Sequence, residues 1–316
     1  MVRKPQRKSP GFILTPAAPP ELALKGIETV EADLTAWLSR QRNEHTKSAE
    51  LRKKLAQAQF EVMRKSGVDV GALAREVREL RRQRPPKHPL PKLPGLQPEV
   101  PVGLAAAPGY FLVTPPYSYQ LCHTQQIDID PIGTLLAYAN PETGTMGIDV
   151  DSSDESVQMN ISNAQAGVGI HFKSETAGAL ALQATAYISE DWGWNVYYAR
   201  ANTRGWAGFL VQGFDGKTNS LVETLVNQQI ILFDNGSNGV VLFGGGFGGY
   251  ASPAPSPGNF TAFVLVKPNR RYVIWFWCGG DIHADGWSEA GFGSTAFCNI
   301  EVSVPYFLLQ FQPETP

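Results

Sequence analysis

The run from Arg271 to Cys278 restricts the fold of this chain more than any other stretch of the sequence. Both of its alternating sets are apolar: Tyr, Ile, Phe and Cys occupy one set, and Val and two Trp occupy the other. Successive side chains of a β-strand point to opposite faces of the sheet. A strand that is apolar on both faces lies in the middle of a sheet with another layer packed on each side. The sequence therefore predicts a central strand that is covered on both faces.

Residues 294–304 predict a neighbour of this strand. Their apolar positions, which include Cys298 and Ile300, alternate with Asn299, Glu301 and Ser303. Such alternation is typical of a strand with one face toward the core and the other toward a more polar environment.

The rest of residues 109–316 consists of short apolar runs separated by Gly, Pro and Asn. Residues 140–144 and 202–205 have the composition of hairpin turns. The glycine-rich stretch 244–249 has the form of a dinucleotide-binding motif, but prolines follow it where that motif requires a helix. A surface loop is therefore predicted there. Because no helical period occurs in this region, we predict a mainly β fold, a large C-terminal β-sandwich of jelly-roll-like type.

The charge of the chain changes sign near residue 100. Residues 1–100 carry 20 Lys and Arg against 11 Asp and Glu, whereas residues 101–316 carry 7 against 18. Only 25 of the last 216 residues are charged, which is about half the usual quarter of a soluble chain. A surface with so few charges is covered by neutral polar groups or by neighbouring molecules. The composition thus indicates a basic arm joined to an acidic body, with a hint of self-association.

Residues 21–84 predict an α-helical, coiled-coil-like arm. Apolar residues recur at spacings of three and four from Ile27 to Trp37 and again, in the same heptad phase, from Leu51 to Val62. Polar residues occupy the seam positions between them, so the helix either turns back near residues 43–46 as a hairpin or continues to residue 66. Gly67 ends it in both cases. A shorter helix is predicted from about residue 69 to 83.

The predicted domain order is a basic Pro-rich tail (1–20), the arm (21–84), a Pro-rich linker (85–108) and the β-sandwich (109–316). The apolar run 12–14 is too short for a secretory signal, and no later run is long enough for a transmembrane helix. We therefore expect a protein that is cytoplasmic or released by a route other than general secretion. Cys278 and Cys298 are expected to be reduced and buried, although they lie on strands that could pair.

Three arginines, Arg75, Arg78 and Arg82, lie on one face of the last predicted helix. They form either a solvated basic face, which suits the C-terminal end of the helix dipole, or a partner-binding face.

Asp281, His283 and Asp285 carry metal-ligating side chains at alternate positions. On a strand all three point the same way, and in a loop they can surround a Ca²⁺ or Zn²⁺ ion. The stretch is not an EF-hand, because His283 replaces an oxygen ligand and Phe292 replaces the bidentate Glu. A polar loop without an ion is the alternative that we favour, and no cofactor is expected.

Trp192, Trp194 and Trp287 lie beside predicted turns and are candidates for binding a glycan, because exposed indoles stack on sugar rings. The alternative is that they fill the core of the sandwich.

The sequence contains no nucleophile elbow, no zinc-protease motif and no P-loop, so a non-enzymatic protein is predicted. The first hypothesis is a structural, self-assembling protein in which the basic helical arm mediates homo-oligomerisation of the acidic body. The second is a lectin-like, carbohydrate-binding sandwich with an oligomerising helical stalk. The third is a membrane-active toxin. Nucleic-acid binding is not expected, because the acidic body opposes it.

Overall fold

The computed structural model describes most of the body and part of the arm. The described residues of the body are 109–128, 133–152, 159–197, 199–237, 244–251, 258–285 and 293–314. Toward the N-terminus they are 12–14, 25, 28, 29, 31, 32, 35, 36, 39, 40, 43, 51, 54, 55, 57–73, 75 and 76. The predicted linker, residues 238–243, Arg78, Arg82 and Trp287 lie outside these residues.

Among the described residues, the body together with residues 12–14 forms two antiparallel sheets of seven strands each, which confirms the predicted mainly β sandwich. Sheet A contains β1 (Phe12–Leu14), β3 (Tyr119–Asp128), β6 (Met159–Ser174), β8 (Ala201–Asp215), β9 (Leu221–Asn227), β10 (Ile230–Gly236) and β13 (Arg270–Asp285). Sheet B contains β2 (Tyr110–Val113), β4 (Thr134–Asn140), β5 (Thr145–Asp151), β7 (Gly178–Tyr197), β11 (Gly244–Ala251), β12 (Gly258–Val266) and β14 (Gly293–Pro313).

The long strands alternate between the two sheets along the chain. Strands β5, β6, β7 and β8 belong in turn to sheets B, A, B and A. The chain then adds β9 and β10 beside β8, and β11 and β12 beside β7. Finally β13 inserts between β6 and β8, and β14 inserts between β5 and β7. The last two long strands therefore occupy the middle of the two sheets.

The main hydrophobic core lies between the sheets, and β13 is buried on both faces as predicted. Tyr272 and Phe276 face sheet B, where they pack in the core cluster, while Val273 and Trp275 belong to a second cluster on the opposite face of sheet A. All four side chains are at most 1% exposed. Cys278 and Cys298 are buried and free, in agreement with the prediction.

Two segments that the sequence analysis assigned to turns or loops are strands. The predicted turn 202–205 lies inside β8, where Gly205 pairs with both Gly280 and Phe233. A Cβ atom at Gly205 would overlap the Phe233 ring, so this glycine permits close packing and does not form a turn. The predicted loop 244–249 forms β11 along β7. A run of glycines has no side-chain alternation to reveal a strand, and its pairing partner β7 determines its conformation.

The described positions between 25 and 43 and between 51 and 65 are helical. Gly67, with φ of 79°, ends this helix as predicted. Asp69 then accepts a hydrogen bond from the Ala72 amide at 2.9 Å, and residues 70–73, 75 and 76 are helical. The choice between a hairpin and one continuous helix falls on residues 44–50, which lie outside the description. Among the helices of the described residues, none is long and apolar enough to cross a membrane.

Replacing Gly208 by alanine is expected to lower the free energy of unfolding by about 2 kcal/mol, because the new methyl group would overlap the backbone oxygen of Gln228. That backbone cannot easily move, since the Gln228 amide donates to the Phe209 carbonyl oxygen at 2.8 Å. Urea unfolding measures the loss. Gly71→Ala is the control, because Gly71 lies on a helix and its Cβ atom would approach only side-chain atoms, Asp69 Oδ1 at 3.3 Å and Arg75 Nη1 at 3.9 Å. Equal effects of the two substitutions would contradict the close approach at Gly208.

Candidate functional site

The outer face of sheet A carries a second buried cluster, which distinguishes it from an ordinary solvent-facing side of a sandwich. The members of this outer aromatic cluster are only 0–6% exposed. They are Tyr119, Leu121, Trp206, Leu210, Phe214, Val273, Trp275 and Trp277. A bare sheet face would leave such side chains in water, so another part of the chain covers this face.

The indoles of this cluster lie on glycines of the neighbouring strands. A Cβ atom at Gly169 would be 2.7 Å from the Trp275 ring, and one at Gly279 would be 2.7 Å from the Trp206 ring. The Trp206 and Trp277 rings meet edge to face at 6.4 Å. Glycines opposite tryptophans therefore let the rings lie close to the backbone of the sheet.

A row of polar residues crosses sheet A next to this cluster. Five neighbouring strands contribute one residue each to this row: Gln125 on β3, Asn163 on β6, Asp281 on β13, Arg204 on β8 and Asp234 on β10. We call these five the polar row. Asn163 is 1% and Asp281 6% exposed, whereas Asp234 lies at the exposed end. The Arg204 guanidinium lies 5.4 Å from the centre of the Trp206 ring, a cation–π distance that joins the row to the aromatic cluster.

The carboxyl group of Asp281 stands at the centre of the polar row. Burial raises its pKa to about 7, while the positive charge of Arg204 lowers the pKa and the negative charge of Asp234 raises it. Asp281 thus exchanges a proton near neutral pH, unlike a solvated aspartate.

The stretch 281–285 is the end of β13, so the loop predicted for it is wrong. Strand alternation places Asp281, His283 and Asp285 on one face, as the sequence analysis expected for a strand. His283 Nε2 lies 3.8 Å from Asp285 Oδ2, and Asp285 Oδ1 accepts a hydrogen bond from the Arg200 amide at 2.7 Å. Among the residues that the structure describes, no three His, Cys, Asp or Glu side chains are arranged to hold a metal ion.

The arm contacts the same face of sheet A. Glu31 Oε1 lies 3.1 Å from His123 Nδ1, and the Gln125 side-chain amide donates to Thr35 Oγ1 at 3.2 Å. Glu31 and Thr35 are four residues apart on a helix, which corresponds to about 6 Å, and His123 and Gln125 are two residues apart on a strand, which corresponds to about 6.6 Å. The two spacings match. The arm helix therefore runs along β3, beside the polar row, and forms part of the layer that covers sheet A.

The later part of the arm helix has two unlike faces. Phe60 is only 6% exposed, so it packs against the rest of the chain. Leu51, Leu55 and Val62 are 70%, 53% and 64% exposed. At 100° per residue they lie on the side opposite Phe60. We call Leu51, Leu55, Ala58 and Val62 the arm seam; all four are exposed.

The tryptophans selected from the sequence lie elsewhere. Trp192 and Trp194 are on β7, where both are partly buried and pack against the core between the sheets. The Trp192 ring stacks on Phe233, with centroids 5.6 Å apart. Arg75 is exposed on its helix. Sequence reasoning missed Asn163 and Arg204, although Asn163 and Gln165 are polar residues alternating with alanines, a sign that one face of β6 is polar.

Comparisons with known proteins do not assign a family. No family model matches the chain, and no curated protein matches it. The K1 cleaved adhesin domain of Lys-gingipain from Porphyromonas gingivalis W83 aligns with 62% of this chain and 99% of its own, at 10% identity and a TM-score of 0.17. A structure of infectious bursal disease virus, Gx strain, aligns with 62% of this chain and 42% of its own, at 10% identity and a TM-score of 0.13. Scores this low do not indicate a shared fold.

Proposed function

We propose that this chain is a non-enzymatic, self-assembling protein in which the helical arm joins copies of the β-sandwich body into a homo-oligomer. The observation that carries this proposal is the exposed arm seam. Two leucines and a valine at heptad spacing are 53–70% exposed on a helix whose opposite side buries Phe60.

The partner that fits the arm seam is the arm seam of a second copy. Apolar residues at alternating spacings of three and four form the knobs and holes of a coiled coil, and the same pattern complements itself across a two-fold axis. Each Leu or Val that becomes fully buried contributes about 1.5–3 kcal/mol. Burial of Leu51, Leu55 and Val62 in both copies is the main favourable contribution to this contact, and it is opposed by the entropy lost on association.

The body supports the same proposal. In sheet B, β14 lies between β5 and β7, and β11 and β12 follow β7. In sheet A, β13 lies between β6 and β8, and β9 and β10 follow β8. Two interleaved Greek keys produce this order in a jelly roll. Only 25 of the last 216 residues are charged, and β12 exposes Phe263 and Leu265, at 63% and 66% exposure. Such surfaces are typical of proteins with neighbours.

Light scattering behind a sizing column tests the proposal on the full chain. The wild-type protein is expected to have the mass of an oligomer. A variant carrying Leu51→Gln, Leu55→Gln and Val62→Gln is expected to dissociate, with association weakened by about 100-fold or more because three buried apolar side chains are lost in each arm.

The control removes partly exposed apolar side chains from the body. Val222→Thr with Ile231→Thr changes residues that are 46% and 43% exposed, far along the chain from the arm. It is expected to keep the wild-type mass. A monomeric wild type at all concentrations, or a seam variant that retains the wild-type mass, overturns the proposal.

A further inference from the structure

The exposed arm seam can meet a second arm seam in the same or in the opposite chain direction. Its residues alternate between the two apolar positions of the heptad: Leu51 and Ala58 are d residues, and Leu55 and Val62 are a residues. All four are exposed on their helix. The direction of pairing decides which of them face each other, so their sizes and the charges beside them distinguish the two arrangements.

Antiparallel packing matches large seam residues with smaller ones. With the two-fold axis between residues 56 and 57, Leu51 faces Val62 of the second arm. Leu55 then faces Ala58 of the second arm, so every seam residue has an apolar partner and the layers are of similar width. In a parallel pair each residue faces its own copy. Two Ala58 methyl groups would then leave a gap next to a layer of two Leu55 side chains.

The charges beside the seam favour the same direction. Lys54 and Glu61 occupy g positions, each directly before an a residue, and both side chains are exposed. In antiparallel helices g positions face g positions, and this axis places Lys54 of each arm beside Glu61 of the other. The contact therefore includes two pairs of opposite charge. In a parallel pair Lys54 faces the neutral Gln59 instead.

The positive charge of the arm opposes parallel pairing. Residues 52–54 are Arg-Lys-Lys, and Glu61 is the only acidic residue in the sequence from 51 to 62. Parallel pairing brings the three cations of one arm beside those of the other, whereas antiparallel pairing brings them toward Glu61.

We infer that the arms of the proposed homo-oligomer pair antiparallel over residues 51–62. Leu55 packs against Ala58 of the second arm at the centre. Lys54 of each arm pairs with Glu61 of the other on the two sides. This geometry rests on the proposed function, because both concern the same contact between arms.

Reversal of the charge at Lys54 tests the direction on the full chain. Lys54→Glu makes the arm less positive, so it would strengthen association if the arms merely repelled each other. In the antiparallel pair it replaces both ion pairs by contacts between two carboxylates. Association is therefore expected to weaken about tenfold, as measured by light scattering over a dilution series.

The reciprocal substitution restores the contact. Glu61→Lys alone is expected to weaken association, and its combination with Lys54→Glu is expected to bring association to within about threefold of the wild type. The two positions are about 10.5 Å apart along one helix, so the restoration arises between helices. Arg64→Glu is the matched control, because it makes the same change of charge at an exposed position c, away from the seam, and it is not expected to weaken association.

Disulfide formation reports the direction independently. Cys122 is exposed and is first replaced by serine, whereas Cys278 and Cys298 are buried. In the antiparallel pair Leu51→Cys of one arm faces Val62→Cys of the other, so a mixture of these two variants is expected to cross-link. Leu51→Cys alone is not expected to do so, because its two cysteines lie about 16 Å apart along the axis.

The outcomes separate the direction of pairing from assembly itself. A wild type that is monomeric at all concentrations overturns both the proposed function and the antiparallel contact. An oligomeric wild type leaves assembly in place, but the antiparallel contact is overturned if Leu51→Cys alone cross-links better than the mixture. It is also overturned if Lys54→Glu associates as tightly as the wild type.

Discussion

Replacing Phe276 by alanine is expected to lower the free energy of unfolding by about 4 kcal/mol, because it leaves a cavity at the centre of the core. Phe276 is fully buried and packs edge to face against Phe209 of sheet A at 5.6 Å and Phe260 of sheet B at 4.8 Å. Its ring therefore connects the two sheets, and its neighbours belong to strands too well paired to collapse into the space.

Phe263→Ala is the matched control, since the same side chain is removed from an exposed position. Phe263 is 63% exposed on β12, and its loss is expected to change stability by about 0.5 kcal/mol or less. Guanidinium chloride unfolding, followed by tryptophan fluorescence, measures both variants. Similar losses at the two positions would contradict the placement of Phe276 between the sheets.

Replacing Asp281 by asparagine is expected to stabilise the protein above neutral pH by up to about 4 kcal/mol. Burial raises the pKa of Asp281 from 3.8 to about 7, so between these values the folded protein holds a proton that the unfolded chain has released. The stability of the wild type therefore falls as the pH rises from about 4 to about 7 and stays low above this range. Asparagine has no proton to lose, so position 281 makes no pH-dependent contribution to the stability of the variant.

The measurement is urea unfolding of both proteins at intervals from pH 4 to 8. Their difference is expected to vanish near pH 4 and to grow toward pH 8. Burial also raises the pKa of Glu190 to about 7, but that residue is present in both proteins and cancels. Asp215→Asn is a control of opposite sign, because hydrogen bonds from the Thr218 and Lys217 amides lower the pKa of Asp215. A constant difference between wild type and Asp281→Asn would contradict the buried, protonated carboxyl group.

The sequence predicted those parts of the architecture that depend on the alternation of apolar and polar side chains. The two apolar faces of 271–278 and the alternation of 294–304 identified the central strands, because burial selects apolar side chains at every second position. The same reasoning failed at 202–205 and 244–249. There small and polar residues resemble turns, and pairing with β13 and β7 determines their extended conformation.

The candidate site was less accessible to prediction. The alternate positions of Asp281 and His283 were noticed, but the partners of Asp281 come from separate strands. Asn163 and Arg204 meet it only through the registers of β6 and β8, which depend on the packing of the whole sandwich. Trp192 and Trp194 were selected for their residue type, although their even positions on β7 turn them toward the core.

The edges of the two sheets have a consequence for how this protein associates. The inner strands β6, β7, β8, β13 and β14 have 15 to 21 residues, whereas the bordering strands seen in the described chain have 3 to 10. Two short strands lie end to end along the outer side of β6, β7 and β8, as β11 and β12 do along β7. Such interrupted borders offer no long template for adding another chain, which protects a concentrated solution from fibril growth.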